Sequence, residues 1–257
     1  MCLAVADRGG PRVTQRSLNA PIGAVTFDLD FTLWDLNGVL QHAEAVCQGL
    51  LEQHYPAVAA RFDSQGLRTL RDGIAAERPD IAHDVTALRR AGLRRAGEVS
   101  GYRGAALDTL VEEAFEVFLE ARHAVRLYPD TLPLLRALHG RLPIGAITNG
   151  NAEIARVGLQ GYFDFSLSAV DLGAAKPSHL VFETAAVRAG VAPERIIHIG
   201  DDVHSDVYGA ATSGLQAVWL NRDDAGWPDD VPDVPHTRVD SLAGLEGMLL
   251  GLIRESV

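Results

Sequence analysis

The chain has 257 residues and is 47% hydrophobic, which suffices to bury one large core or a core plus a smaller domain. Its net charge of −11 leaves no basic stripe for nucleic acid and no polybasic signal for a membrane surface. Two cysteines are too few for a disulfide framework, and no apolar run approaches the roughly 18 residues of a membrane span. Residues 1–20 lack a signal-peptide core. We therefore predict a cytoplasmic protein that acts on a small molecule.

The first predicted element is a strand that ends in two carboxylates. Residues 1–20 before it are mixed polar, and we interpret them as a loose or packed arm. The apolar run Ala24 to Phe27 is typical of a buried parallel strand, and Asp28 and Asp30 follow it directly. Ligands of open α/β sheets bind outside the carboxyl ends of the strands, so a nucleophile and an acid/base could lie side by side there. Solvated turn residues or helix caps are the alternative for such a pair.

From about Trp34 to Arg126 the sequence predicts helices and no strand. Apolar residues recur every three or four positions near both ends, at Leu36, Val39, Leu40, Ala43 and Val46 and again at Leu110, Val111, Ala114, Phe115, Val117, Phe118 and Leu119. We interpret residues 34–125 as a helical domain inserted into an α/β core formed by residues 1–33 and 126–257. Within it, the stretch Glu77 to Thr86 is either a source of polar ligand contacts or a plain interhelical loop. The arginines at 89, 90, 94 and 95 favour a solvated helix face over a phosphate-attracting one.

The α/β rhythm resumes at Pro129. Asp130 is a candidate N-cap for a helix that ends at Gly140, and the apolar run Ile144 to Thr148 predicts a second strand. Thr148 and the backbone donors of the following Asn149-Gly150-Asn151 could hold an anion. An ordinary turn, with Asn151 capping a helix from Ala152, is the alternative.

Lys176 is the only lysine in the chain, since the other 22 of the 23 basic residues are arginine. A compact ammonium on a flexible stem differs from a planar guanidinium in size, hydration and reach. We therefore predict a functional role for Lys176, against the alternative of a chance surface lysine. Ser178 and Gly190 bound the next predicted helix.

A third strand, from Ile196 to Ile199, ends in the carboxylates Asp201, Asp202 and Asp206. Oxygen ligands without a Cys or His set at metal spacing favour Mg²⁺ over Zn²⁺. His198 lies inside the apolar run and is predicted to be a satisfied core histidine, and His204 a loop residue. A strand at Ala217 to Leu220, a loop at Asp223 to Pro235 and a helix around Leu242 to Ile253 complete the chain.

Taken in order, these motifs resemble the haloacid dehalogenase superfamily of hydrolases. The resemblance runs from about Ile22 to Leu220 and rests on Asp28-Leu29-Asp30-Phe31-Thr32, on Thr148, on Lys176-Pro177 and on Gly200-Asp201-Asp202 with Asp206. Phe31 is a departure, because many relatives carry a small or acidic residue there. Within the superfamily the chain is most similar to the YigB-type phosphatases of riboflavin and flavin mononucleotide metabolism, a closer match that also uses His83-Asp84-Val85-Thr86 and Ala146-Ile147-Thr148-Asn149-Gly150-Asn151. The resemblance implies an α/β fold, with a Rossmann-like doubly wound parallel sheet as core and an inserted all-helical cap of the C1 type.

The resemblance also implies a role for each matched residue. Asp28 would attack phosphorus to form an aspartyl-phosphate, and Asp30 would act as general acid and then as general base. Thr148, Asn149 and Lys176 would bind the phosphoryl group, and Mg²⁺ would be held by the Asp28 carboxylate, the Asp30 backbone carbonyl and Asp201. Asp202 and Asp206 are supporting candidates, Asp206 through water or by orienting Lys176.

The implied activity is Mg²⁺-dependent hydrolysis of a small-molecule phosphate monoester by a monomer or homodimer. The expected substrate is 5-amino-6-(5-phospho-D-ribitylamino)uracil or flavin mononucleotide. The alternatives are a nucleotide or sugar-phosphate phosphatase, a phosphomutase, a 2-haloacid dehalogenase and a non-catalytic binding module. Asp30 and the complete set of acids argue against the dehalogenase, and the helical insertion would select the substrate.

Overall fold

The computed structural model describes residues 21–253, and the predicted arm at residues 1–20 lies outside them. The strands are β1 (Ala24–Phe27), β2 (Trp34–Asp35), β3 (Arg126–Leu127), β4 (Ile144–Thr148), β5 (Phe165–Ser168), β6 (Ile196–Gly200), β7 (Gln216–Leu220) and β8 (Thr237–Val239). The helices are α1 (Val39–His54), α2 (Pro56–Ala59), α3 (Ser64–Glu77), α4 (Val85–Val99), α5 (Gly104–Arg122), α6 (Thr131–Leu138), α7 (Ala169–Leu172), α8 (His179–Ala189), α9 (Gly209–Thr212) and α10 (Leu245–Leu252). None of the helices within residues 21–253 is long and apolar enough to cross a membrane.

Six parallel strands form the central sheet, in the order β5-β4-β1-β6-β7-β8. Strand β1 lies at the centre, with Thr26 beside Gly145 of β4 on one side and His198 of β6 on the other. The chain therefore winds outward from β1 in both directions, and this reversal creates the crevice in which α/β proteins bind ligands. The carboxyl ends of β1, β4 and β6, which carry the predicted site residues, meet at that crevice.

Each face of the sheet is covered by helices, as its continuous apolar strands require. Val25 and Phe27 pack with α6 and α10 on one face, and Ala24 packs with α8 and α9 on the other. The predicted class, a doubly wound parallel α/β sheet, is confirmed.

Helices α1 to α5, here called the helical segment (residues 39–122), pack around an apolar cluster of their own. The buried face of α1 carries Ala43, Cys47 and Leu51, whereas Leu40 is exposed. The expectation that Leu40 belongs to the apolar face of this helix is therefore wrong. The limits of an inserted domain at residues 34–125 stay a prediction, supported by this separate cluster.

Two local expectations are corrected, one alternative is excluded, and two strands are added. The region predicted to contain no strand begins and ends with the antiparallel pair β2 and β3, whose strands have two residues each. Asp130 occupies the N-cap position of α6, but its carboxylate accepts hydrogen bonds from Arg222 and from the backbone of Leu242. No helix starts at Ala152, since turns follow β4. The edge strands β5 and β8 were not predicted.

Candidate active site

Asp28 directly follows β1, whose four residues are all buried. Its backbone N–H donates to Ile199 O of β6 at 2.9 Å, so the residue is still held by the neighbouring strand. The residue is 8% exposed, and Oδ1 accepts a hydrogen bond from Lys176 Nζ at 2.5 Å. The structure thus places the predicted nucleophile against the one lysine of the chain.

Lys176 uses all three of its ammonium hydrogens. Nζ donates to Asp28 Oδ1 at 2.5 Å, to Asp206 Oδ1 at 2.6 Å and to Ile147 O at 2.9 Å. Only 2% of the side chain is exposed. Its backbone is clasped by Asn149, which donates from Nδ2 to Lys176 O at 2.9 Å and accepts at Oδ1 from Lys176 N at 2.7 Å. A rotatable three-donor head matches these three acceptors, whereas the planar fork of arginine does not.

Asp206 is carried under the site by a π-helical turn, Val203–Tyr208, that follows β6. Such turns are frequent at functional sites. Asp206 Oδ1 also contacts His198 Nε2 at 3.0 Å, and His198 Nδ1 lies 2.9 Å from Thr26 Oγ1. The prediction of a satisfied core histidine is confirmed, but its partner is a site carboxylate. A side chain at Gly200 would overlap Asp206, so glycine is required there.

Asp201 is positioned by two donors. Its Oδ1 accepts from Thr32 Oγ1 at 2.9 Å, and its backbone carbonyl accepts from Trp219 Nε1 at 3.0 Å. Asp202 is exposed, and its Oδ1 accepts from Ser205 N at 2.6 Å as the N-cap of the π-helical turn. The contact of Thr32 with Asp201 was not predicted from the sequence, although Thr32 belongs to the acidic motif. The hydrogen bond from Trp219 was not predicted either.

Burial of this acidic group perturbs its proton affinities. Desolvation raises the pKa of Asp28 well above its usual value, and the Asp206 and Asp201 carboxylates raise it further. Burial, with Asp206 nearby, raises the pKa of Asp201 to about 7. Burial alone would raise the pKa of Asp206 and lower that of Lys176. The Asp206–Lys176 pair reverses both effects, so that the pKa of Asp206 is lowered and that of Lys176 is raised. Burial also lowers the pKa of His198, which keeps the ring neutral.

The donor set fits a hard divalent cation. Carboxylate oxygens of Asp28, Asp201 and Asp206 all lie within 4.8 Å of one another. Three carboxylates and one ammonium leave two negative charges uncompensated, which a divalent cation would neutralise. The oxygens of Asp206 already accept from Lys176 and from the backbone of Asp202. Asp28 and Asp201 are therefore the better candidates for metal ligands.

Asp30 lies beside this group and is held by two residues that the sequence did not indicate. Arg122 Nη2 donates to Asp30 Oδ1 at 2.8 Å and to Oδ2 at 2.6 Å. Trp34 Nε1 donates to Oδ1 at 2.8 Å. Between Asp30 and the following threonine, Phe31 has a left-handed φ of 59° and is 38% exposed. A ring in this conformation is unusual, and strained backbone of this kind is concentrated at functional sites.

The turn after β4 completes the site. Thr148 is 3% exposed, and its Oγ1 accepts from Gly150 N at 3.0 Å. A Cβ atom at Gly150 would lie 3.1 Å from Asp30 Oδ2 and 3.5 Å from Thr148 Oγ1. The chain therefore passes closely over both side chains.

A cleft of about 350 Å³ adjoins this turn. It is lined by Thr86 of α4, by residues 150–155, by Ser166 and Ser168 of β5, and by Val170 and Asp171. Thr86 is the last residue of the stretch Glu77 to Thr86, which is a candidate for polar contacts with a ligand. Asp84, in the same stretch, accepts from Ala87 N as the N-cap of α4.

Of the four arginines of α4, three form exposed ion pairs. These pairs are Arg90 with Glu112, Arg94 with Asp108 and Arg95 with Glu77. The interpretation as a solvated face is confirmed for these three. Arg89 differs, because only 16% of its side chain is exposed and its partner Glu44 is also largely buried.

The chain is similar in sequence and in fold to known hydrolases. The family model for haloacid dehalogenase-like hydrolases matches residues 22–214. The 5-amino-6-(5-phospho-D-ribitylamino)uracil phosphatase YigB of Escherichia coli is 32% identical over 232 residues, which are 89% of this chain and 96% of that protein. The phosphoserine phosphatase of Thermus thermophilus is 31% identical and covers 78% of this chain and 74% of its own length. A crystal structure described as a 2-haloacid dehalogenase from Pseudomonas syringae is 37% identical, with a TM-score of 0.83 over 90% of this chain and 98% of that one.

Proposed function

Because the chain belongs to the haloacid dehalogenase-like hydrolase family and is a phosphoric monoester hydrolase, we propose that its substrate is a phosphorylated polyol with an uncharged body. The favoured candidate is 5-amino-6-(5-phospho-D-ribitylamino)uracil, with flavin mononucleotide second. The similarity to YigB of Escherichia coli, which is named as a phosphatase of this compound, supports the proposal.

The cleft beside Gly150 supports an uncharged body for the substrate. Thr86 and Ser166 offer hydroxyl groups that can bond to the hydroxyls of a ribityl chain, whereas the Ser168 hydroxyl already bonds Asp171. The lining also includes the carboxylate of Asp171 and that of Glu153, which pairs with Arg156 at 3.2 Å, and it contains no Lys or Arg. A leaving group with a net negative charge, such as glycerate, would meet repulsion there.

The observation that carries the mechanism is the position of Lys176 between Asp28 and Asp206. In the proposed first half-reaction, an oxygen of Asp28 attacks phosphorus while the P–O bond to the leaving group breaks. Lys176 and Thr148 stabilise charge on the transferring phosphoryl group, and Asp30 gives a proton to the leaving oxygen. The product of this step is an aspartyl-phosphate and a free alcohol.

In the second half-reaction, water attacks the phosphorus of the aspartyl-phosphate. Asp30 takes the proton from that water, and the carboxylate of Asp28 is released together with inorganic phosphate. Asp206 holds Lys176 in place in both halves, and the clasp by Asn149 fixes the Lys176 backbone.

We propose that Asp28, Asp201 and the Asp30 backbone carbonyl hold Mg²⁺ at this site. When bound, the ion would offset the repulsion between the anionic nucleophile and the anionic ester. The donor chemistry fits, since the site offers hard oxygen ligands and an excess of two negative charges.

The proposal is tested by phosphate release from a panel of esters with and without Mg²⁺. The panel contains the ribitylaminouracil phosphate, flavin mononucleotide, a pyrimidine nucleotide, a sugar phosphate and 3-phosphoglycerate, with Asp28→Asn as the blank. We expect the highest kcat/KM for one of the two flavin-pathway compounds and the lowest for 3-phosphoglycerate. Equal rates across the panel, or a preference for 3-phosphoglycerate, would reject the substrate proposal.

A carbon-attacking dehalogenase is the second candidate, because a structure described as one is 37% identical. That reaction releases halide and needs no proton for a leaving alkoxide, so it gives Asp30 no task. Chloride release from 2-chloropropionate in the absence of phosphate release would establish it.

A further inference from the structure

Arg122 is the last residue of α5, and its side chain reaches the residue proposed for acid–base chemistry. Only 2% of that side chain is exposed. Nη2 bonds both oxygens of Asp30, and Nε donates to Asn151 Oδ1 at 3.1 Å in the turn after β4. Arg122 thus connects the helical segment to Asp30 and to the sheet.

The bonding of Arg122 is poor for a purely structural side chain. Its Nη1 atom is buried and has no hydrogen-bond partner within residues 21–253. A buried donor without a partner lowers stability, and an apolar side chain often fills such a site at less cost than a buried ion pair. Besides its bond to Asn151, what arginine adds at this position is its pair of bonds to Asp30.

Those bonds fix the direction of a carboxyl group that has to transfer protons. Asp30 is 21% exposed and would otherwise be free to rotate. Trp34 Nε1 and Arg122 Nη2 together make three contacts with its two oxygens. Proton transfer requires a donor and an acceptor at hydrogen-bond distance, so a fixed direction favours the reaction.

We propose that Arg122 is a positioning residue for proton transfer by Asp30, which makes the acid–base steps depend on how the helical segment packs on the sheet. This inference rests on the proposed phosphatase mechanism. In the first half-reaction Asp30 gives its proton to the leaving oxygen as the P–O bond breaks. In the second it takes a proton from the water whose oxygen bonds to phosphorus. Arg122 orients the carboxyl group and contributes no atom to either step.

The leaving group distinguishes this role from a structural one. p-Nitrophenolate leaves without protonation, whereas an alkoxide requires a proton from Asp30. We expect Arg122→Met to lower kcat by roughly 10- to 100-fold for the alkyl phosphate that the wild type hydrolyses fastest, with KM little changed. For p-nitrophenyl phosphate the change should stay below about threefold, and Arg122→Lys should be intermediate with the alkyl ester. Equal losses on both esters would overturn the proposal.

Arg156 provides the matched control. It also joins α5 to the segment after β4, through a 2.8 Å ion pair between its Nη1 and Glu116 Oε1, and its side chain is 36% exposed. Arg156→Met removes a contact between the same two parts of the chain without touching Asp30. We expect it to leave the ratio of the two rates unchanged.

A double-mutant cycle with Asp30→Asn gives a second readout. If Arg122 acts through Asp30, adding Arg122→Met to Asp30→Asn produces no further loss with the alkyl ester. Losses that multiply would contradict the proposal. Thermal unfolding verifies that each variant is folded, and if Arg122→Met does not fold, Arg122→Lys is judged by the same ratio and the same cycle. A wild type that hydrolyses no ester would instead reject the proposed function.

Discussion

Lys176→Arg retains the positive charge at the centre of the site but changes its shape. The ammonium group donates at 2.5, 2.6 and 2.9 Å to Asp28, Asp206 and the backbone of Ile147. A guanidinium is larger and planar, so in a cavity where 2% of the lysine side chain is exposed it cannot reach all three acceptors. Loss of one charge-assisted bond corresponds to about 1.5–3 kcal/mol. Because Asp28 is the proposed nucleophile, we expect kcat to fall by roughly 10- to 150-fold.

The assay is steady-state hydrolysis of p-nitrophenyl phosphate at saturating Mg²⁺, together with thermal unfolding. Overpacking by the larger side chain should cost about 1–3 kcal/mol of stability, which leaves the protein folded at room temperature. Arg156→Lys, a charge-preserving change in an exposed ion pair, is the control and should retain activity within about twofold. A folded Lys176→Arg variant with wild-type kcat would refute the reasoning.

Three further predictions concern the surroundings of the site. Gly150→Ala places a methyl group 3.1 Å from Asp30 Oδ2, and we expect it to lower kcat by roughly tenfold with little change in melting temperature. An unchanged rate of phosphate release would contradict this prediction and show that the turn can move. Thr32→Val removes the hydrogen-bond donor to Asp201 without changing the side-chain volume, and we expect it to weaken Mg²⁺ binding by roughly 10- to 100-fold. The measurement is a titration of activity with Mg²⁺. An unaltered midpoint of that titration would contradict the prediction. Because the pKa of Asp201 is raised to about 7, a proton competes with the metal below that pH and is absent above it. The rise in melting temperature on adding Mg²⁺ should therefore be larger at about pH 8 than at about pH 5.5, and the reverse order would exclude Asp201 as a ligand.

The central strands and their terminal residues were predictable because they are continuously buried. Strands β1, β4 and β6 are covered on both faces, so each is an uninterrupted apolar run, and the polar residues that follow mark its carboxyl end. The edge strands lack this signal. Strand β5 reads Phe-Ser-Leu-Ser, an apolar/polar alternation of only four residues that was not interpreted as a strand. Strand β8 has three residues, which are too few to show a period.

The residues around Asp30 were not predictable from local patterns. Arg122 is 92 residues away along the chain, at the end of a helix where arginine is ordinarily solvated and stabilises the helix terminus. Its burial follows from the packing of α5 against the turn after β4, which no periodicity encodes. Trp34 follows the acidic motif by four residues and looks like an ordinary core aromatic, although its indole N–H bonds Asp30.

The measurement that most directly tests the account is covalent trapping of phosphorylated Asp28. The Asp30→Asn variant, in which the second half-reaction should be slow, is mixed with an aryl phosphate and quenched in acid. It is then reduced with tritiated borohydride, which converts an aspartyl-phosphate to labelled homoserine and releases the phosphate. The account predicts that peptide mapping finds the reduced residue at position 28, and that Asp28→Asn gives no label. Turnover without label at position 28, or label on another residue, would contradict it.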